Sequence, residues 1–123
     1  MPPDPLGVLL FSGGHDRAHY AFVVATGAAA IGRNVVLFAT NAGCRALVAD
    51  LSGFAESEAA LTEKGVASMA TLRQAAVELG IRIIACESGL RIENIAEPLA
   101  EHVEIAGIVS FLSAISGGQV ITL

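Results

Sequence analysis

Two cysteines, Cys44 and Cys86, are the side chains of this sequence best suited to covalent chemistry. A thiolate is the strongest nucleophile an ordinary side chain supplies near neutral pH. They lie 42 positions apart and form no Cys-x-x-Cys pair, so the usual spacing of a dithiol redox site is absent. In a reducing compartment they read as free thiols, not as a bridge. His15, His19 and His102 are all remote in sequence from both cysteines, so neither a metal site nor a cofactor is expected. A second patch, Ser12-Gly13-Gly14-His15-Asp16, lacks the Lys-Ser/Thr ending of a P-loop and the G-x-G-x-x-G spacing of a dinucleotide site. Its glycines suit a tight strand-to-helix turn; anion binding at the following helix N-terminus is the alternative. No G-x-S-x-G element or Ser-His-Asp order is present, so hydrolytic chemistry has no footing.

The bulk composition bounds the possibilities further. A chain of 123 residues is the size of one domain and can bury a core without disulfides or metals. Its hydrophobic content of 54% and mean hydropathy of +0.65 are high for a small protein, and the surplus needs a destination. The longest weakly polar stretch, residues 18–32, is interrupted by His19, Tyr20 and Thr26 and falls short of the roughly 20 apolar residues of a membrane span. The start, Met1-Pro2-Pro3-Asp4-Pro5, has no basic segment of the signal-peptide kind, so a cytoplasmic location is expected. A homo-oligomer interface is the expected outlet for the apolar surplus. Net charge is −5 and the seven basic residues are scattered, which argues against nucleic-acid binding.

Four apolar, β-branched runs read as strands: residues 6–11, 34–40, 81–86 and 119–123, with 103–106 a weaker fifth. The main runs do not alternate, as expected of parallel strands covered on both faces. Between them lie helical patterns. Asp16 is placed to cap a helix to about residue 31, ended by Gly32, and Ser68 to cap another to about residue 79, ended by Gly80. This rhythm predicts a doubly wound α/β sandwich with helices on both faces of a mainly parallel sheet. Residues 41–67 form a long connection with one short helix at about 44–51, and long connections are often covers. In residues 88–102, Pro98 predicts a break and a second short helix from near Glu97. A last helix is expected within residues 107–116.

Ligands of open parallel sheets bind outside the carboxyl ends of the strands. That rule selects Ser12 to Asp16, Asn41-Ala42-Gly43-Cys44 and Cys86-Glu87-Ser88-Gly89, and both cysteines fall there. Ser12, Gly13, Gly14, Asn41, Gly43 and Ser88 are therefore the candidate substrate- or anion-binding residues. Cys86 ends a strand and precedes a helix, where N–H groups favour thiolate; Glu87 beside it works the other way. Its other reading is a buried small apolar residue, and position alone does not separate the two. Cys44 reads either as a resolving thiol or as a half-buried helix residue, the missing Cys-x-x-Cys favouring the latter. His15, the histidine nearest the edge, is a candidate to orient or protonate a sulfur substrate, or else a solvated loop residue. His19 is expected to pack against a neighbour, and His102 to lie exposed at a helix C-terminus.

Residues 65–86, with a capped helix, a Gly-Ile step and an apolar strand ending in Ala85-Cys86, resemble the DsrE/DsrF-like family. Ile31-Gly32-Arg33-Asn34-Val35-Val36-Leu37-Phe38 resembles its entry to the second strand, and Ile105-Ala106-Gly107 with Val120-Ile121-Thr122-Leu123 its C-terminal end. The resemblance implies a single domain over residues 1–123 with a five-stranded parallel sheet, cytoplasmic trimers or hexamers, and sulfur relay. By that resemblance Cys86 matches a cysteine that carries a persulfide between donor and acceptor proteins. Where one branch of the family continues with a methionine-rich segment, this chain has Glu87-Ser88-Gly89-Leu90-Arg91. Three function classes follow: a persulfide carrier or sulfurtransferase, a small-anion or nucleotide-binding protein, and a non-catalytic oligomeric module.

Overall fold

The structure, a computed structural model, describes residues 4–123. Residues 1–3, on which the reading of the N-terminus partly rests, lie outside the described residues. Five strands form one all-parallel sheet in the order β4-β3-β2-β1-β5. They are β1 (Leu6–Leu10), β2 (Val35–Ala39), β3 (Arg82–Cys86), β4 (Val103–Ala106) and β5 (Gln119–Thr122). The helices are α1 (His15–Ala30), α2 (Ala55–Glu63), α3 (Met69–Glu78), α4 (Glu87–Ile92) and α5 (Ile108–Ala114). The weaker strand candidate at 103–106 is therefore a full member of the sheet, at its edge.

Topology follows from handedness. The chain steps one way from β1 through β4 and then returns across the sheet to place β5 beside β1. Right-handed crossovers put the connections of opposite direction on opposite faces. On the first face, α1 and α3 supply Ala18, Ala21, Phe22, Ala25, Met69 and Ala76 to a core with Leu6, Val8, Leu10, Leu37, Ile83 and Ala85. On the second face, α5 supplies Phe111, and its C-cap Ile115 joins it, in a smaller core with Val36, Phe38, Ile84 and Cys86. Phe111 stacks on Phe38 with ring centroids 5.0 Å apart. It also lies directly over Gly7, where an added Cβ would meet its ring.

Helix boundaries show what local signals carry. Ser68 caps α3 through its side chain, which accepts from the Thr71 N–H, and Gly80 leaves that helix at φ +77. Asp16 does not cap α1. The helix begins one residue earlier, behind Gly14, and Asp16 lies in its first turn, where an acid is favoured.

Three other expectations are corrected. The connection 41–67 contains a 3-10 helix, Asn41–Leu47, in place of a helix over 44–51, and then α2. No residue of α2 is buried, so no apolar stripe announces it; its alanines, glutamates and leucine form helix by propensity. No helix starts near Glu97. Instead, the Pro98 carbonyl accepts from the Ala49 N–H, Ala100 donates to Leu47, and Leu99 bridges Val48. Proline keeps its neighbours extended, and the end of the 3-10 segment takes up their backbone groups. His102 accordingly lies in a turn before β4 at φ +68, not at a helix C-terminus. No helix of the described residues is long and apolar enough to cross a membrane.

Candidate functional site at the carboxyl edge

The three predicted edge segments do come together, through backbone packing. Gly43 donates to the Phe11 carbonyl, and a Cβ on Gly43 would run into the Leu10 carbonyl. A Cβ on Gly13 would meet that of Ala42, and one on Gly89 would strike the main chain of Thr40 and Asn41. These glycines allow close approach of backbones. Phe11 and Ser12 donate to the Leu123 carbonyl, tying the β1 end to β5. Asn41 adopts φ +49, and its side-chain oxygen accepts from the Thr40 hydroxyl. Ser88 is exposed in the first turn of α4.

Cys86 is the last residue of β3 and the residue before α4. Its Sγ accepts from the Gly89 N–H at 3.4 Å. The register sets it beside Ala106, the last residue of β4. Here the sheet changes its winding. After β3 the chain packs Leu90, Ile95 and Leu99 on the first face, whereas after β4 it packs Phe111 on the second. Connections that leave neighbouring strands toward opposite faces open a crevice between them, the recurrent ligand position of such folds. Cys86 stands at that point with 8% of its surface exposed, its side chain in the cluster of the second face.

Cys44 lies in the 3-10 helix with no exposure, within the first-face core, and its thiol donates to the Ala39 carbonyl at 3.4 Å. Burial pushes this thiol up to about 11; the Cys86 N–H works against that, while the charges of Cys86 and Glu93 work with it. The two cysteines are therefore neighbours at the edge, yet their side chains belong to opposite faces. Arg73 helps fix the segment that carries Cys44, donating to the carbonyls of Ala46, Val48 and Ala49. The expected cover over 41–67 is thus anchored along its first third.

His15 is engaged by α2 and its own helix. Its Nε2 lies 2.7 Å from the Glu58 carboxylate of α2, its ring stacks on His19, and it leans against Phe54. Glu58 also accepts from the Met69 and Ala70 N–H groups at the start of α3. Burial would raise this carboxyl, but the bonds from His15, Ala70 and Met69 outweigh it and hold it below the usual range. Glu58 thereby joins α1, α2 and α3, a role with no trace in the sequence pattern because α2 itself had none. His19 bonds the Ala67 carbonyl.

A cleft of about 380 Å³ opens beside this edge, lined by Gly13, Arg45, Asp50, Ser52, Phe54 and Glu97 among others. Its one guanidinium is already paired with Glu93 and Glu97, so the cleft offers an anion little free positive charge. Among the described residues no group of three or more His, Cys, Asp or Glu side chains is placed to hold a metal ion.

An all-parallel five-stranded sheet with one cysteine at its winding switch defines a class of small α/β proteins with a thiol at the strand ends. The sequence model of the DsrE/DsrF-like family matches residues 6–123, and the chain belongs to that family. Among solved structures, it is similar to a protein of unknown function from Methanobacterium thermoautotrophicum. That likeness has a TM-score of 0.66 and 16% identity, covers 98% of this chain and 100% of the other, and concerns the fold. No curated protein matches the chain.

Proposed function

We propose that the protein is a persulfide carrier that accepts sulfane sulfur on Cys86 and passes it to the thiol of a partner protein. The observation that carries the reading is the Cys86 sulfur at the winding switch, accepting the Gly89 N–H, in a residue that is buried but keeps 8% exposure. Family membership supports sulfur-relay work in general terms. In the loading step the Cys86 thiolate attacks the outer sulfur of a persulfide R–S–SH. The S–S bond breaks, R–S⁻ leaves, and Cys86–S–SH remains. In the unloading step an acceptor thiolate attacks that outer sulfur and the Cys86 thiolate is regenerated. No net redox change occurs, and no other side chain needs to exchange a proton with carbon. The reading includes self-assembly into a trimer or hexamer, supported by the apolar surplus, and a reducing, cytoplasmic setting in which both thiols stay free.

Incubation with a persulfide donor, followed by intact mass measurement, tests it. The expected result is a gain of one sulfur atom that a reductant removes and that Cys86→Ser abolishes. A chain that takes up no sulfur from any donor, while its Cys86 stays inert to small alkylating agents, excludes relay. It would favour the second reading, a non-catalytic assembly subunit, which the slight exposure of Cys86 in an apolar cluster supports.

A further inference from the structure

The connection between the 3-10 helix and α3 is fixed at both ends and held in the middle by one side chain. At its start, the Ala49 N–H donates to the Pro98 carbonyl, and Arg73 donates to the Ala49 carbonyl. At its end, the Ala67 carbonyl is bonded to His19 Nε2. Between these points, among the described residues, Glu58 alone is hydrogen-bonded to the rest of the molecule. Its carboxylate lies 2.7 Å from His15 Nε2 and accepts from the Met69 and Ala70 N–H groups at 2.8 Å each. The other hydrogen bonds of residues 50–66 stay within the segment. Apolar packing adds little. Leu51 and Phe54 rest partly buried against the first-face core, whereas no residue of α2 is buried or belongs to either core. Helices in proteins are held chiefly by an apolar face, and isolated ones shorter than about 12 residues are marginal in water. With nine residues and no such face, α2 depends on Glu58 for its place.

We propose that residues 50–66 are a hinged flap at the carboxyl edge, latched by Glu58, which opens as one piece while the sheet stays intact. The flap does not depend on sulfur loading. Its purpose lies in the cleft beside the edge. Ser52, Gly53 and Phe54 of the flap form one wall, and Gly13, Arg45 and Glu97 of the body form the other. The cleft thus has a fixed side and a movable side, and release of the latch widens it. Phe54 connects wall and latch, because its ring lies against His15 with centroids 5.6 Å apart. Gly53 and Gly65, near the two ends of the flap, have open space where a Cβ would stand, and Gly65 adopts φ +72. Such positions absorb large backbone rotations. Opening breaks the bonds to one carboxylate and lifts two partly buried apolar side chains. That cost belongs to the low end of the range of local openings, far below the unfolding of either core.

Lys64, the one lysine of the sequence, closes α2 as its C-cap residue. A protease specific for lysine therefore has a single site, and cutting there requires the end of α2 to leave the helix. The wild type is expected to be cut at Lys64 without denaturant, at a rate that low urea does not change, because the flap opens without exposing the core. Glu58→Gln, which keeps the shape and removes the charge, is expected to be cut about tenfold faster. Glu56→Gln, at an exposed acid of the same helix, is expected to keep the wild-type rate. Equal rates for Glu58→Gln and wild type overturn the flap, as does cutting that rises with urea in step with global unfolding. If Glu58→Gln does not fold, hydrogen exchange of the wild type decides. Amides of residues 50–66 that exchange faster than those of α1 and α3, without urea dependence, support the flap; exchange in step with those helices overturns it. Sulfur uptake by Cys86 is read by mass on the uncut chain, so failure of either result leaves the other standing.

Discussion

On the first face of the sheet, α1, α3 and the 3-10 segment enclose Cys44 completely and leave its thiol protonated up to about pH 11. On the second face a single short helix shares its small core with Cys86, which keeps a residual opening. The two residues are chemically identical and neighbours in space, so the difference lies in the layers above them. A thick layer makes a cysteine a packing residue. A thin one at a strand end leaves it short of full enclosure. On the proposed reading, this difference reserves one thiol of an adjacent pair for chemistry without any dithiol motif.

The contrast can be broken first at the thick face. Phe22→Ala removes a fully buried ring from the first core and is expected to lower stability by about 3–5 kcal/mol, measured by urea unfolding. Loss of only about 1 kcal/mol would mean that the first face is as loosely packed as the second. A smaller effect concerns Cys44 directly. Its folded pKa is raised from 9.0 to about 11, so the native state holds a proton that the unfolded chain releases between those values. Its stabilising contribution is intact below about pH 9 and falls away as pH rises toward 11, by on the order of 2–3 kcal/mol. Wild type should therefore lose more stability over that range than Cys44→Ala, and parallel unfolding curves would refute the sealed environment.

Glu58→Gln weakens the junction of α1, α2 and α3, at an expected cost of about 1–2 kcal/mol near neutral pH. The Glu58 carboxyl is lowered in the fold, so its contribution is present above the ordinary carboxylate range and disappears as pH falls through the folded value. The gap in melting temperature between wild type and variant should close on acidification; a constant gap would assign the effect to shape instead of charge. The smallest change sharpens the other side. Arg82→Ala, on the open face, removes an exposed ion pair and should alter the stability of the single chain by no more than about 0.5 kcal/mol.

The difference between the faces also marks how far the sequence could be read. Within residues 6–11, 34–40 and 81–86 the apolar residues run on without alternation, and that pattern specifies buried parallel strands because both of their faces must be covered. Ser68 and Gly80 marked α3 because caps act within a few residues of chain. By contrast, α2 has no buried stripe, and Pro98 found its partner in Ala49, far away along the chain. Neither was legible locally.

By its own pattern, the sequence determined the α/β class, the strands and the placing of Ser12, Asn41 and both cysteines at the carboxyl edge. Periodicity, caps and turn glycines are properties of short segments. Only the tertiary structure decided that Gly13, Gly43 and Gly89 serve backbone contact, that His15 belongs to Glu58, and that the two sulfurs face opposite layers. Those outcomes depend on which crossover lies over which face. Handedness and the packing of residues remote in sequence settle that after the elements exist.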